Sequence, residues 1–145
     1  MKNYIAIYTV LMLLTSCGTT KGVKLEAKKT NYFLDLPDGY DLQKKQGEVY
    51  KEYHFAYPDG SIFYFTDDDE SGGAVNKEKI KKYGNDILVK IAVNDTIDIS
   101  GSSQDEKYWR EKKETGIVVG YVNATKGRKE SFDNAISTME RKPKN

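Results

Sequence analysis

The stretch Glu48-Val49-Tyr50-Lys51-Glu52-Tyr53-His54-Phe55-Ala56-Tyr57-Pro58-Asp59-Gly60-Ser61-Ile62-Phe63-Tyr64-Phe65-Thr66 decides the fold. Its first ten residues alternate. Val49, Lys51, Tyr53, Phe55 and Tyr57 share one side, mostly apolar; Glu48, Tyr50, Glu52, His54 and Ala56 share the other. A period of two is the signature of a half-buried strand. Pro58-Asp59-Gly60 then supplies turn chemistry, since proline presets φ and glycine accepts a positive one. Ser61 to Thr66 returns as the partner strand, so 48–66 reads as a β-hairpin. Ile62 to Phe65 is apolar on both faces, which predicts a central strand covered on both sides.

On the N-terminal side, Asn31 to Leu36 is a shorter strand candidate, closed by Pro37-Asp38-Gly39, a second copy of the same turn chemistry. On the C-terminal side, Asp67 to Ala74 is an acidic, glycine-containing loop. Asn76 has the chemistry of a helix N-cap. Ile80, Tyr83, Ile87 and Ile91 then fall at helical spacing, which predicts a helix from 77 to about 91. Ile87, Val89, Ile91 and Val93 also alternate as a strand would, and Gly84-Asn85-Asp86 is a potential break. Thr96 to Ser100 is a strand. Glu106–Glu114 and Ile117–Ala124 flank Thr115-Gly116 as a second hairpin. A helix from about Arg128 to Glu140 aligns Phe132, Ala135, Ile136 and Met139 in one stripe, with Pro143 as its stop. The expected architecture is a single α+β domain over 30–142, an antiparallel sheet of about six strands packed with one or two helices. Its element order loosely resembles the photosystem PsbP-like and Mog1-like sandwich folds. A likeness of order implies nothing about function.

The start of the chain has a different character. Met1-Lys2-Asn3 carries one positive charge, and Tyr4 to Leu14 is an almost unbroken apolar run. A spanning helix needs about 20 apolar residues. This run is shorter and has the length of a signal-peptide core. It ends in Leu14-Thr15-Ser16-Cys17, which resembles the lipobox of bacterial lipoproteins, as found in small envelope lipoproteins of Bacteroidota-type bacteria. The resemblance implies a signal peptide over 1–16, cleavage before Cys17, and diacylglycerol on its sulfur, with the new amino terminus acylated as well. Each buried CH₂ contributes about 0.8 kcal/mol, so two or three acyl chains anchor stably where one does not. Residues 17–29, polar and basic, then read as a flexible tether. An ordered strand around Val23-Lys24-Leu25 is the alternative. Gly18 follows the cysteine where an aspartate commonly retains such proteins in the inner membrane, so the resemblance leans toward the outer membrane.

Charge and residue inventory narrow the function classes. The chain has 23 basic and 22 acidic side chains. Removing residues 1–16 removes Lys2 and no acid, which leaves the remainder balanced. No basic excess points to nucleic acid. Cys17 is the only cysteine and His54 the only histidine. An internal disulfide is excluded, and a histidine–cysteine zinc set is too. A triad needs a nucleophile, a base and an orienting group, and His54 has no sequence-readable partner. The expectation is a protein that is not an enzyme and carries no cofactor. The weak candidate for a metal site is Asp67, Asp69 and Glu70 in the acidic run, where calcium would find clustered oxygens but no EF-hand spacing.

Aromatics are in surplus: 11 Tyr, 5 Phe and one Trp. The hairpin 48–66 holds seven of the rings from Tyr50 onward. Most are expected to form core; an outward set would instead make a stacking face for a small ligand or glycan. In Glu106–Glu114, alternation is expected to send Trp109 inward under the C-terminal helix. It leaves Tyr108, Arg110 and Lys112 outward as a candidate partner surface. Asp95-Thr96-Ile97 resembles the Asp-Thr-aliphatic motif at which Bacteroidota-type bacteria O-glycosylate exported proteins. The leading functional expectation is a non-enzymatic protein-interaction module, such as a toxin-immunity protein or an accessory subunit, held to a membrane through lipid on Cys17. The alternative is a ligand- or glycan-binding lipoprotein using the aromatic hairpin.

Overall fold

In a computed structural model, the structure describes residues 19–47, 50–67, 81–82, 84, 93–94, 96–114 and 116–145. The decisive hairpin is present as β4 (Lys51–Ala56) and β5 (Ile62–Thr66), antiparallel, with Phe55 opposite Phe63. Gly60 has φ 80°, as the turn required. The second hairpin is also present, as β7 (Tyr108–Glu114) and β8 (Ile117–Ala124). Together with β3 (Asp41–Gln46) and β6 (Thr96–Ser102) they form a six-stranded antiparallel sheet in the order β3-β4-β5-β8-β7-β6. Strand β5 is interior and buried along most of its length, as its two apolar faces predict.

A second sheet of three strands packs on one face of the first. It joins β1 (Thr20–Glu26) to β2 (Thr30–Pro37) and β2 to β9 (Glu140–Pro143). Helix α1 (Lys126–Ser137) packs on the same face. It starts at N-cap Thr125, whose hydroxyl accepts from the Arg128 N–H. Phe132, Ala135 and Ile136 are its buried face. The core between these layers combines Leu25, Tyr32, Leu34 and Leu36 with Tyr53, Phe55, Phe63, Phe65, Val119 and Tyr121. Phe132 is its hub, with ring centroids 5.3–5.4 Å from Tyr57, Phe63 and Tyr121. The fold is α+β, mostly antiparallel sheet with a single helix element described in full.

Three expectations are corrected. The tether expected over 17–29 is a strand from Thr20: Leu25 is fully buried, and β1 pairs with β2 along its whole length. Burial of Leu25 and a complete ladder outweigh the flexible composition of its flanks. The C-terminal helix ends at Ser137, before Glu140, and the residues expected as its cap form β9 against β2. Trp109 does not lie under the helix. Tyr108 and Arg110 take the helix side, and Trp109 lies on the opposite face over Gly101, where a Cβ would come within 2.7 Å of its ring. Tyr108 and Arg110 stand opposite Ala124 and Tyr121, both in the main core, which fixes their side and sends Trp109 to the other; β8 holds one extra residue opposite this step, with Asn123 at φ 55°.

Of the remaining expectations, the helix expected from 77 to about 91 is not continuous: Lys81 and Lys82 are helical, but Gly84 is not and has φ 83°, as the potential break at Gly84-Asn85-Asp86 allowed. The other residues of that stretch lie outside the described residues. So do the signal peptide and Cys17. Among the described residues, no helix is long and apolar enough to cross a membrane.

Candidate functional site

Strands β6 and β7 set Ser100 opposite Arg110 and Asp98 opposite Lys112. Residues 98 and 110 are therefore diagonal neighbours on one face. The Arg110 guanidinium forks onto Asp98, with Nε donating to Oδ1 at 2.9 Å and Nη2 to Oδ2 at 2.7 Å. Its remaining arm, Nη1, donates to Asp133 of α1 at 2.9 Å. Such a fork matches carboxylate geometry. Asp133 also accepts from the Tyr121 hydroxyl at 3.0 Å and from Lys129 Nζ at 2.5 Å. Burial works against the charge on Asp133, but donation by Lys129, Arg110 and Tyr121 outweighs it and holds the carboxyl below its ordinary value. Burial, reinforced by Asp133, pushes the Tyr121 hydroxyl well above its ordinary value.

The candidate partner surface is thus assembled, but with divided duties. Tyr108, Arg110 and Lys112 share one face and are half-buried. Arg110 is committed to clamping α1 to the sheet. Lys112 pairs with Glu114 at 2.6 Å. Tyr108 packs on the core edge, with Lys129 Nζ 6.0 Å from its ring centroid.

Beside this clamp lies an open cleft of about 600 Å³. Its walls are the ends of β6 and β7, with Ser102, Ser103 and Tyr108, facing Lys129 of α1 and Lys81 and Lys82. Lys82 Nζ donates to the Ser100 carbonyl at 2.6 Å. Among the described residues, the lining has three lysines and no carboxylate. Ammonium groups and hydroxyl donors around an open volume suit an anionic group. The sequence named Tyr108 but missed the lysines, because residues 81–82, 102–103 and 129 meet only through the fold.

The acidic run behaves differently. Asp67 is buried, with 3% exposure. Its carboxylate accepts from the Lys51 N–H at 2.5 Å, while its own N–H donates to the Lys51 carbonyl at 3.1 Å. That reciprocal pair closes the open end of the β4–β5 hairpin, a structural use for the carboxylate. Asp69 and Glu70 lie outside the described residues. Among the described residues, no three potential ligands converge as a metal site.

The rings of the decisive hairpin are core. Tyr53, Phe55, Tyr57, Phe63 and Phe65 belong to the main cluster, and Tyr64 is buried on the opposite face. Tyr50 is half-buried. A stacking face for a ligand is therefore not displayed by this hairpin. His54 pairs with Glu52, Nε2 to Oε1 2.5 Å apart, two residues away on its own strand. Thr96 is exposed at the start of β6, and Asp95 lies outside the described residues.

No family model, curated protein or solved structure matches this chain.

Proposed function

We propose that this chain is an envelope lipoprotein, anchored by lipid on Cys17, whose folded domain acts as a non-enzymatic protein-interaction module. The observation that carries the reading is the order at the N-terminus: a positive residue, a short apolar core and Leu14-Thr15-Ser16-Cys17, with the folded domain beginning at Thr20. A signal followed by a lipid-bearing cysteine and a compact domain suits display at a membrane surface. The outer membrane is the proposed location. Partner contact is assigned to the exposed part of this surface around Lys112, with Arg110 as the residue that holds it in place beside Tyr108. The element order shared with PsbP-like and Mog1-like folds adds no functional content.

The test of the anchor is a Cys17→Ser change with fractionation and acyl labelling. The wild type is expected to take up palmitate and resist a carbonate wash. A Cys17→Ser form that still sediments with washed membranes refutes the anchor. The interaction is tested by photo-crosslinking from position 112 in the lipidated protein. A discrete protein adduct is expected, and labelling of lipid alone argues against a protein partner.

A further inference from the structure

We propose that the lysine-lined cleft at the ends of β6 and β7 rests on the bilayer and takes the phosphate of an anionic lipid headgroup. This rests on the anchor reading of Cys17. Two observations carry it, the chemistry of the cleft and its place in the fold.

Place comes first. Only three Cα–Cα steps separate Cys17 from Thr20, and each spans about 3.8 Å, so the start of β1 lies within about 11 Å of the lipid-bearing residue whatever path the chain takes. Thr20 pairs with Pro37, and the Asp38 N–H donates to the Thr19 carbonyl at 2.9 Å. The start of β1 is therefore fixed to the Pro37–Tyr40 turn.

The strand directions place other segments at this same end. Asp41 pairs with Ala56 where β3 begins, Ile62 with Val122, Tyr108 with Ala124, and Ser102 with Tyr108. The mouth of the cleft, at Ser102, Ser103 and Tyr108, is thus on the anchored end.

A chain of contacts joins the two places. The Tyr57 hydroxyl donates to the Pro37 carbonyl at 2.8 Å. The Arg128 guanidinium covers the Tyr57 ring at 4.1 Å. The next residue, Lys129, lines the cleft. Six strands at the usual spacing span about 24 Å. A flat bilayer touching the β1 side of this end therefore reaches the β6 side as well.

The chemistry then selects the occupant. Lys81 and Lys82 supply ammonium groups, Lys82 while also donating to the Ser100 carbonyl, Lys129 stands beside them in its pair with Asp133, and Ser102 and Ser103 supply hydroxyl donors. Clustered lysines at a membrane surface are drawn to anionic headgroups. Tyr108, half-buried with a polar tip, suits the interfacial depth. The opposite end of the domain, where Lys51 pairs with Glu26, faces away from the membrane in this arrangement.

The experiment uses the lipidated full-length product reconstituted in vesicles of phosphatidylcholine, with or without phosphatidylglycerol. Cys17 is consumed as a thioether, so a Gln104→Cys change supplies a single reactive thiol beside the cleft. Lys45→Cys does the same at the far end of β3. Each is labelled with a fluorophore, and quenching by headgroup-labelled lipid is read.

The expected result is several-fold stronger quenching at position 104 than at 45. It should be enhanced by phosphatidylglycerol and reduced to the level of position 45 by Lys81→Glu with Lys82→Glu. Unchanged thermal unfolding of that double variant confirms that it is folded. Equal quenching at both positions, or indifference to phosphatidylglycerol and to the double change, overturns the proposal. So does saturable binding of inorganic phosphate in the cleft that leaves vesicle contact unchanged. Acylation at Cys17 is checked by mass. A product that carries no lipid fails the anchor reading itself, whereas an acylated product lacking the position-104 contact fails only this one.

Discussion

The two faces of the six-stranded sheet are both buried near their centre, but by different means. The face toward β1, β2 and α1 is hydrocarbon and rings: Phe55, Phe63 and Phe65 are fully buried among leucines and Phe132. The other face buries Tyr64, Thr66, Trp109, Glu111 and Lys113 beside Val118. Here Tyr64, Gly120 and Glu111 stand in register across β5, β8 and β7. Gly120 has no side chain, so the Tyr64 phenol lies over it and donates to Glu111 Oε2 at 2.8 Å. The first face is held by apolar area, which tolerates small rearrangements. The second is held by matched polar geometry, where a buried charge is costly unless its donors stay in place. The contrast shows that one sheet can use generic packing on one side and exact register on the other.

The comparison breaks hardest at its apolar hub. Phe132→Ala removes the ring that joins Tyr57, Phe63 and Tyr121, and is expected to cost about 4 kcal/mol in denaturant unfolding. A loss under about 1 kcal/mol would mean the apolar face is looser than its packing implies. Next is Gly120→Ala on the other face. The added Cβ would lie 2.5 Å from Tyr64 Oη and closer still to the Arg110 carbonyl oxygen. Backbone cannot yield as a side-chain tip does, so about 3 kcal/mol is expected. Tyr64→Phe tests the polar geometry without changing shape. It withdraws a donor from a buried carboxylate, at about 2 kcal/mol, and a neutral result would show that the hydroxyl is dispensable.

The smallest effect belongs to the rim. Asp133→Asn weakens the clamp between α1 and β7, and at neutral pH about 1 kcal/mol is expected for a half-exposed network. Because the folded carboxyl titrates below its unfolded value, near 3.9, its contribution is complete above that pH and is lost as pH falls through the lower folded value. The stability gap between wild type and Asp133→Asn should therefore narrow in acid. A gap that widens below pH about 4 would contradict the assignment of the proton.

What the sequence revealed and concealed follows the same division. Alternation with Pro58-Asp59-Gly60 made the first hairpin legible, Thr115-Gly116 between two strand-like runs made the second so, and two apolar faces marked the central place of β5. Strands β3 and β9 were not legible, and β1 was legible only as the alternative strand around Val23-Lys24-Leu25. Asp41–Gln46 is exposed throughout, and so is Glu140–Pro143. Such strands exist through pairing with a neighbour, and pairing leaves no mark on composition. Gly120 within an apolar strand was a usable sign of close approach. The Arg110 clamp was not, because its partners Asp98 and Asp133 are distant in sequence and lie on two other elements. Tyr108, Arg110 and Lys112 were correctly grouped by alternation, while the lysines that make the adjoining cleft cationic were invisible until the fold gathered them.

Strand β2 is flanked by β1 and β9, and Thr30 finds its partner in Pro143, more than a hundred residues further along the chain. Closing a loop of that length forfeits entropy before any contact repays it. The small sheet is therefore the costliest in chain entropy to complete. As the chain is synthesised in N-to-C order, β2 can have only β1 as its sheet neighbour until residues 140–143 emerge. The topology thus acts as a timer, delaying completion of the small sheet until residues 140–143 are free to pair.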